Sequence, residues 1–140
     1  MTHMTTVSLI ARVDMQDAMQ GFIHNKSFPE LRMSLGGQHS QHRFTENNEQ
    51  HRFTITASLV TGPHDLTLEF LTRSTIQGAV EVGDLRVQGV PMGMRIYQCE
   101  YTAFGSAQTH HGHVYMGWPG RWKYTLHAPT ELGTIDVGLQ

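Results

Sequence analysis

The run His51-Arg52-Phe53-Thr54-Ile55-Thr56-Ala57-Ser58-Leu59 is followed, across Gly62-Pro63, by Asp65-Leu66-Thr67-Leu68-Glu69-Phe70. Phe53, Ile55, Ala57 and Leu59 alternate with polar residues, and so do Leu66, Leu68 and Phe70. Successive side chains of a strand point to opposite faces, so each segment reads as a strand with one buried face. Gly62 and Pro63 punctuate the two, and Gly62 is expected to turn a hairpin between them.

The same period extends outward in both directions. Val7, Leu9, Ala11 and Val13 alternate, as do Leu31, Met33 and Leu35 before Gly36-Gly37. Trp122, Tyr124, Leu126 and Ala128 form another such set, and Ile135, Val137 and Leu139 a last one. In Ala79 to Val90 the parity switches: Val80 and Val82 lie on one side, Leu85 and Val87 on the other, with Gly83 between. An extra residue at a glycine marks a β-bulge or a corner. Met94 to Tyr101 reads as a further strand, with Arg95, Tyr97, Cys99 and Tyr101 on one face. Asp14 to Phe22 offers a short helix, because Met15, Ala18, Met19 and Phe22 fall at helical spacing after a possible Asp14 cap. His-Arg-Phe-Thr occurs at 42 to 45 and again at 51 to 54, around Glu46-Asn47-Asn48-Glu49-Gln50. That pattern reads as a hairpin, although a turn centred on Asn47-Asn48 would set Arg43 against Arg52, so other turn placements stay open. The fold expected is all-β: one antiparallel β-sandwich domain over residues 1–140, jelly-roll-like, with about nine or ten strands and at most one short helix.

Composition narrows the function. The formal charge is -2, which argues against binding a nucleic-acid backbone. No apolar run approaches the ~20 residues of a membrane span, and no signal peptide is expected after Met1-Thr2-His3-Met4. The single cysteine, Cys99, excludes an internal disulfide and a cysteine-built zinc cage. Charged residues make up only 16%, against about 25% in ordinary soluble domains. Such a surface repels its copies weakly and suits a subunit of an assembly. Ten histidines make charge strongly pH-dependent, so contacts between subunits that use them would loosen near about pH 5.

The order of segments resembles small β-sandwich proteins that tailed bacteriophages build into virions, which are similar in turn to xylan-binding-type carbohydrate-binding modules. The resemblance rests on His51 to Ala57, on Gly62-Pro63-His64-Asp65-Leu66-Thr67-Leu68-Glu69-Phe70 and on Val82-Gly83-Asp84-Leu85-Arg86-Val87-Gln88-Gly89-Val90. It continues in Gly117-Trp118-Pro119-Gly120-Arg121-Trp122. It implies a sandwich fold and a virion context, with synthesis in the host cytoplasm. Modules of the xylan-binding type hold calcium with acidic residues after the strand that ends here at Phe70. Leu71-Thr72-Arg73-Ser74-Thr75-Ile76-Gln77-Gly78 contains no carboxylate, and Glu69, Glu81 and Asp84 are too few for a six- to eight-oxygen cage. No metal or other cofactor is therefore expected.

His110-His111-Gly112-His113 is the densest set of potential metal ligands. In an extended segment His111 and His113 would share a face, but no acid or thiol nearby completes a tetrahedral site. A polar loop is the plainer reading, unless an assembly stacks such loops about a symmetry axis. Cys99 has no nucleophile motif around it and reads as a packed thiol. Nothing points to an enzyme. Trp118, Tyr97 and Tyr101 are the candidate contacts for a glycan or a protein partner, since flat rings stack on sugar faces and are also enriched at interfaces. Trp122 belongs to the inward set with Tyr124. Two functions follow. The first is a non-enzymatic virion structural protein, in capsid decoration or in the tail, baseplate or collar, that associates with itself and with another virion protein. The alternative is a carbohydrate-binding module adhering to glycans.

Overall fold

The computed structural model describes residues 1–14, 28–71 and 79–130. Two antiparallel sheets face each other, as the alternating segments predict. One is built from β1 (Thr2–Asp14), β4 (Gln50–Val60), β6 (Ala79–Val87) and β10 (Tyr115–Met116), in the order β10-β6-β1-β4, with β7 (Val90–Pro91) against β6. The other is built from β2 (Glu30–Leu35), β3 (Gln38–Arg43), β5 (Gly62–Phe70), β8 (Glu100–Ala103), β9 (Thr109–His111) and β11 (Gly120–Ala128). Its order is β3-β2-β5-β11-β8-β9. The only helix among the described residues is a short 3-10 helix, Gly93–Gln98. Asp14 closes β1, and the rest of the expected Asp14–Phe22 helix lies outside the described residues, as does the Ile135–Leu139 set.

The core sits between the sheets. Val7, Leu9, Phe53, Leu59, Val80 and Leu85 from one layer meet Leu31, Met33, Leu68, Phe70 and Trp122 from the other, all fully buried. Burying side chains of this size contributes roughly 1.5–3 kcal/mol each. The parity switch at Gly83 is a bulge: Ile10 pairs with Gly83 while Ser8 pairs with Arg86. Asp84 takes the extra step with φ +46°.

Three expectations are corrected. β4 pairs with β1, whereas β5 pairs with β2 and β11, so Gly62 does not turn a hairpin. With only Thr61 between the strands, the chain passes from one layer to the other. Gly62, at φ +129°, supplies the bend. The His-Arg-Phe-Thr echo likewise spans β3 and β4 in different sheets. Asn48 does hold a positive φ of 64°. Arg43 pairs with Glu30 at 3.0 Å and Arg52 with Asp84, so the two arginines never oppose each other. Finally, Met94 to Gln98 is not a strand. Pro91 and Gly93 (φ +56°) bend the chain into turns, and the 3-10 helix follows.

Candidate functional site

The β6 bulge shapes the site. Gly83 faces outward with no atom within 4 Å of where a Cβ would stand, so the sheet surface is open there. Ile10 of β1 lies beside it, an apolar residue on a face otherwise carrying Thr6, Ser8 and Arg12. Val114 closes one side, fixed where its carbonyl accepts the Val82 N–H at 2.8 Å. Tyr97 stands over this floor from the 3-10 helix with 51% of its surface exposed. The loop beyond holds the helix in place through the Gly112 N–H donating to the Cys99 carbonyl at 2.8 Å. A Cβ at Gly112 would lie 3.2 Å from the Tyr97 carbonyl oxygen, so a glycine serves this close approach.

These residues, with Arg12, Gln50, Glu81 and Asp84, line a groove of about 270 Å³. That is at the small end for ligand pockets, enough for a compact ligand or one unit of a longer one. The polar groups are ordered by sheet register, in which Tyr115 faces Glu81, Glu81 faces Arg12 and Arg12 faces Gln50. Arg12 donates to Glu81 Oε1 from Nε at 3.3 Å and from Nη2 at 3.1 Å, and from Nη1 to Asn48 Oδ1 at 3.1 Å. Asp84 is held by Arg86 at 3.1 Å and by Arg52. Hydrogen bonds from Arg86 and then Arg52 keep its carboxyl below the ordinary 3.8. The arrangement offers one exposed ring, a small apolar floor and a rim of ion-paired donors and acceptors.

A larger depression of about 370 Å³ lies on the other sheet, against Thr102, Thr109, Arg121 and Lys123. Its cations are already paired, Arg121 with Glu69 at 3.2 Å and Lys123 with Glu100 at 3.8 Å. Its one aromatic, Phe104, packs against the core, so no exposed ring stands over it. Ion pairing is common to both sites, and the exposed ring makes the Tyr97 groove the better candidate.

The other named residues are dispersed. Trp118 is 38% exposed on the turn before β11. β10 runs from Val114 past Glu81 and Val80, which carries Trp118 off the groove. Tyr101 is 4% exposed, its hydroxyl donates to the Trp118 carbonyl, and burial pushes its phenol up to about 12. It is a core residue and presents no surface to a ligand, because β8 directs it inward beside Trp122. In the histidine loop Gly112 turns the chain at φ +72°. His110 and His113 therefore both stack near Tyr101, with ring centroids 5.7 Å apart, and His111 pairs with Glu100 in the register. The expected His111–His113 pairing does not form. No three of His, Cys, Asp or Glu gather to hold a metal among the described residues. Cys99 is buried, and burial raises its thiol.

No family model and no curated protein matches the sequence. Among solved structures, the fold is similar to that of vCBM60, from two families of calcium-dependent carbohydrate-binding modules linked by circular permutation. The TM-score is 0.55 at 15% identity, over 86% of this chain and 89% of that one. The two chains share a fold. The virion side of the sequence resemblance receives no support from the comparisons. Among the described residues, none gather into a calcium cage. Glu69 is bonded to Arg121, Glu81 to Arg12, and Asp84 to Arg52 and Arg86. Calcium needs several carboxylate oxygens turned to one point.

Of the groove, the sequence offered only Tyr97 as a contact, with Gly83 read as a bulge or corner and Glu81 and Asp84 as acids too few for calcium. Sequence reasoning missed Arg12, Gln50, Glu81 and Gly83 as one set. Ile10 was the available signal, an apolar residue at an outward position of β1.

Proposed function

We propose that this protein binds carbohydrate as a non-enzymatic β-sandwich module, with Tyr97 as the stacking ring. The Tyr97 groove carries the reading. An exposed ring beside paired donors and acceptors matches a sugar, which has one flat apolar face and a periphery of hydroxyls. The fold shared with a carbohydrate-binding module supports it. The test is retention of the whole chain in native gels containing soluble xylan, glucomannan or hydroxyethyl cellulose. The expected result is retardation in at least one, lost in Tyr97→Ala and kept in Trp118→Ala. Unretarded migration in all three gels removes the reading.

A second reading is favoured by a different observation. Among the described residues β4 is an edge strand, with no charged residue from Phe53 to Val60, and Met4 and Val60 are exposed near its end. Long uncharged edges are ready to pair with another chain. This supports a self-associating structural subunit, and with the sequence resemblance a place in a tailed-phage virion beside another virion protein. The two readings are compatible if the groove is displayed on a particle.

A further inference from the structure

We infer that the Tyr97 groove holds a neutral sugar unit without a metal ion, the Arg12–Glu81 pair doing the hydroxyl recognition. This rests on the carbohydrate reading and specifies its chemistry. Sugar hydroxyls both donate and accept, so a site reading adjacent hydroxyls needs a fixed donor beside a fixed acceptor. Arg12 and Glu81 face each other across β1 and β6, and Arg12 Nε and Nη2 both donate to Glu81 Oε1. Glu81 Oε2 is thereby left to accept from one hydroxyl, while the guanidinium edge donates to the next. Gln50, opposite Arg12 on β4, adds an amide that does both. Arg12 is pinned by Asn48 as well, so little freedom is lost when it binds.

Charge selects the ligand class. Glu81 and Asp84 line the groove with Arg12 as the one lining cation, and Arg52 and Arg86 bind Asp84 from outside the lining. A uronate, sulfate or phosphate would meet two lining carboxylates and cations already engaged, whereas a neutral ring carries no charge for them to oppose. A calcium ion would have to take Glu81 from Arg12 and Asp84 from Arg52 and Arg86, and the two acids would still supply too few oxygens.

The experiment is a two-dimensional ¹H–¹⁵N NMR titration of the whole chain. The probes are xylohexaose, cellohexaose and mannohexaose, with a galacturonic acid oligomer as the charged probe. Each is run in excess EDTA and again with added calcium. At least one neutral hexasaccharide should bind in EDTA with the same Kd as in calcium, shifting the Gly83, Tyr97 and Arg12 signals, while the acidic oligomer binds more weakly. Tyr97→Ala should raise the Kd about tenfold. Arg12→Met, which keeps the aliphatic stem, should raise it about tenfold or more. Dispersed spectra of both variants show that they remain folded. Binding lost in EDTA and restored by calcium overturns the inference and leaves the carbohydrate reading intact. So does binding that shifts residues elsewhere or is indifferent to Arg12→Met. Binding of none of the oligosaccharides under either condition overturns both.

Discussion

A Cβ on Gly120 would lie 2.4 Å from the Thr102 carbonyl oxygen, 2.7 Å from the Tyr101 ring and 2.8 Å from the Ala103 Cα, whereas one on Gly117 would meet nothing within 4 Å. The two glycines bracket the same Trp118-Pro119 turn but do different work. Gly120 lets β11 come close against β8, where Gly120 pairs with Ala103. Gly120→Ala should therefore destabilise by about 2–3 kcal/mol, since backbone atoms must move, and Gly117→Ala should stay within about 0.5 kcal/mol. Urea denaturation of both variants checks this, and equal midpoints would contradict it. Trp122 shows the same precision of placement. It is fully buried, its indole N–H meets no nitrogen or oxygen acceptor, and its polar neighbour is the protonated Cys99 thiol. Alternation alone placed Trp122 inside. It failed for Tyr97 and Tyr101, which share a parity in the sequence yet end up exposed and buried, because the 3-10 turn between them cancels the strand period.

Between β3 and β4 the two layers are held by a pair of imidazoles. His42 and His51 stack with centroids 3.8 Å apart and planes 3° from parallel, flanked edge-on by Phe44 and Phe53. His42 Nε2 lies 2.6 Å from Glu49 Oε2, and Glu49 Oε1 accepts the Thr45 N–H at 2.8 Å. Burial, and then the charge of His42, hold His51 below the ordinary 6.5, with Glu49 opposing. Burial also pushes Glu49 up, but the Thr45 N–H and His42 outweigh it and leave Glu49 below the ordinary 4.5. Both groups are depressed in the folded chain, so both contribute stability at high pH. The share from His51 is complete above about 6.5 and is lost as pH falls through its lowered value, and the share from Glu49 is lost below about 4.5. Melting temperature should be level from pH 8 to 7 and decline below that. His51→Phe, which keeps the stacked ring, should remove the upper part of the decline, and an identical profile in the variant would contradict the assignment. The alternation revealed β4 on one side of this pair, but not β3 or that the two belong to different sheets. Sheet membership depends on which strands pair across long stretches of chain, and β3 itself, Gln38 to Arg43, has no apolar residue to announce it. The groove was hidden for the same reason, since Arg12, Gln50, Glu81 and Tyr97 come together only when β1 lies between β4 and β6.

At the scale of the whole molecule, the described surface largely neutralises itself, with Lys123 and five arginines bonded to neighbouring acids across both outer faces. A surface of this kind places little electrostatic barrier between copies. If the β4 edge serves self-association, sedimentation velocity at neutral pH should show mass rising with concentration, and Ser58→Lys should hold the chain as a monomer. A parent chain that stays monomeric throughout removes that reading. The strand order also bears on how the molecule is made. β1 is interior to its sheet, between β4 and β6, and β11, the last described strand, is interior to the other, between β5 and β8. A ribosome delivers β1 first, and its apolar row must wait for residue 87 before both of its sides are paired. The second sheet stays split until residues 120–128 arrive. Neither sheet can be completed before these strands arrive, so the growing chain carries unpaired strands from β1 until β11, and closure comes cooperatively on the slow timescale of long-range β pairing.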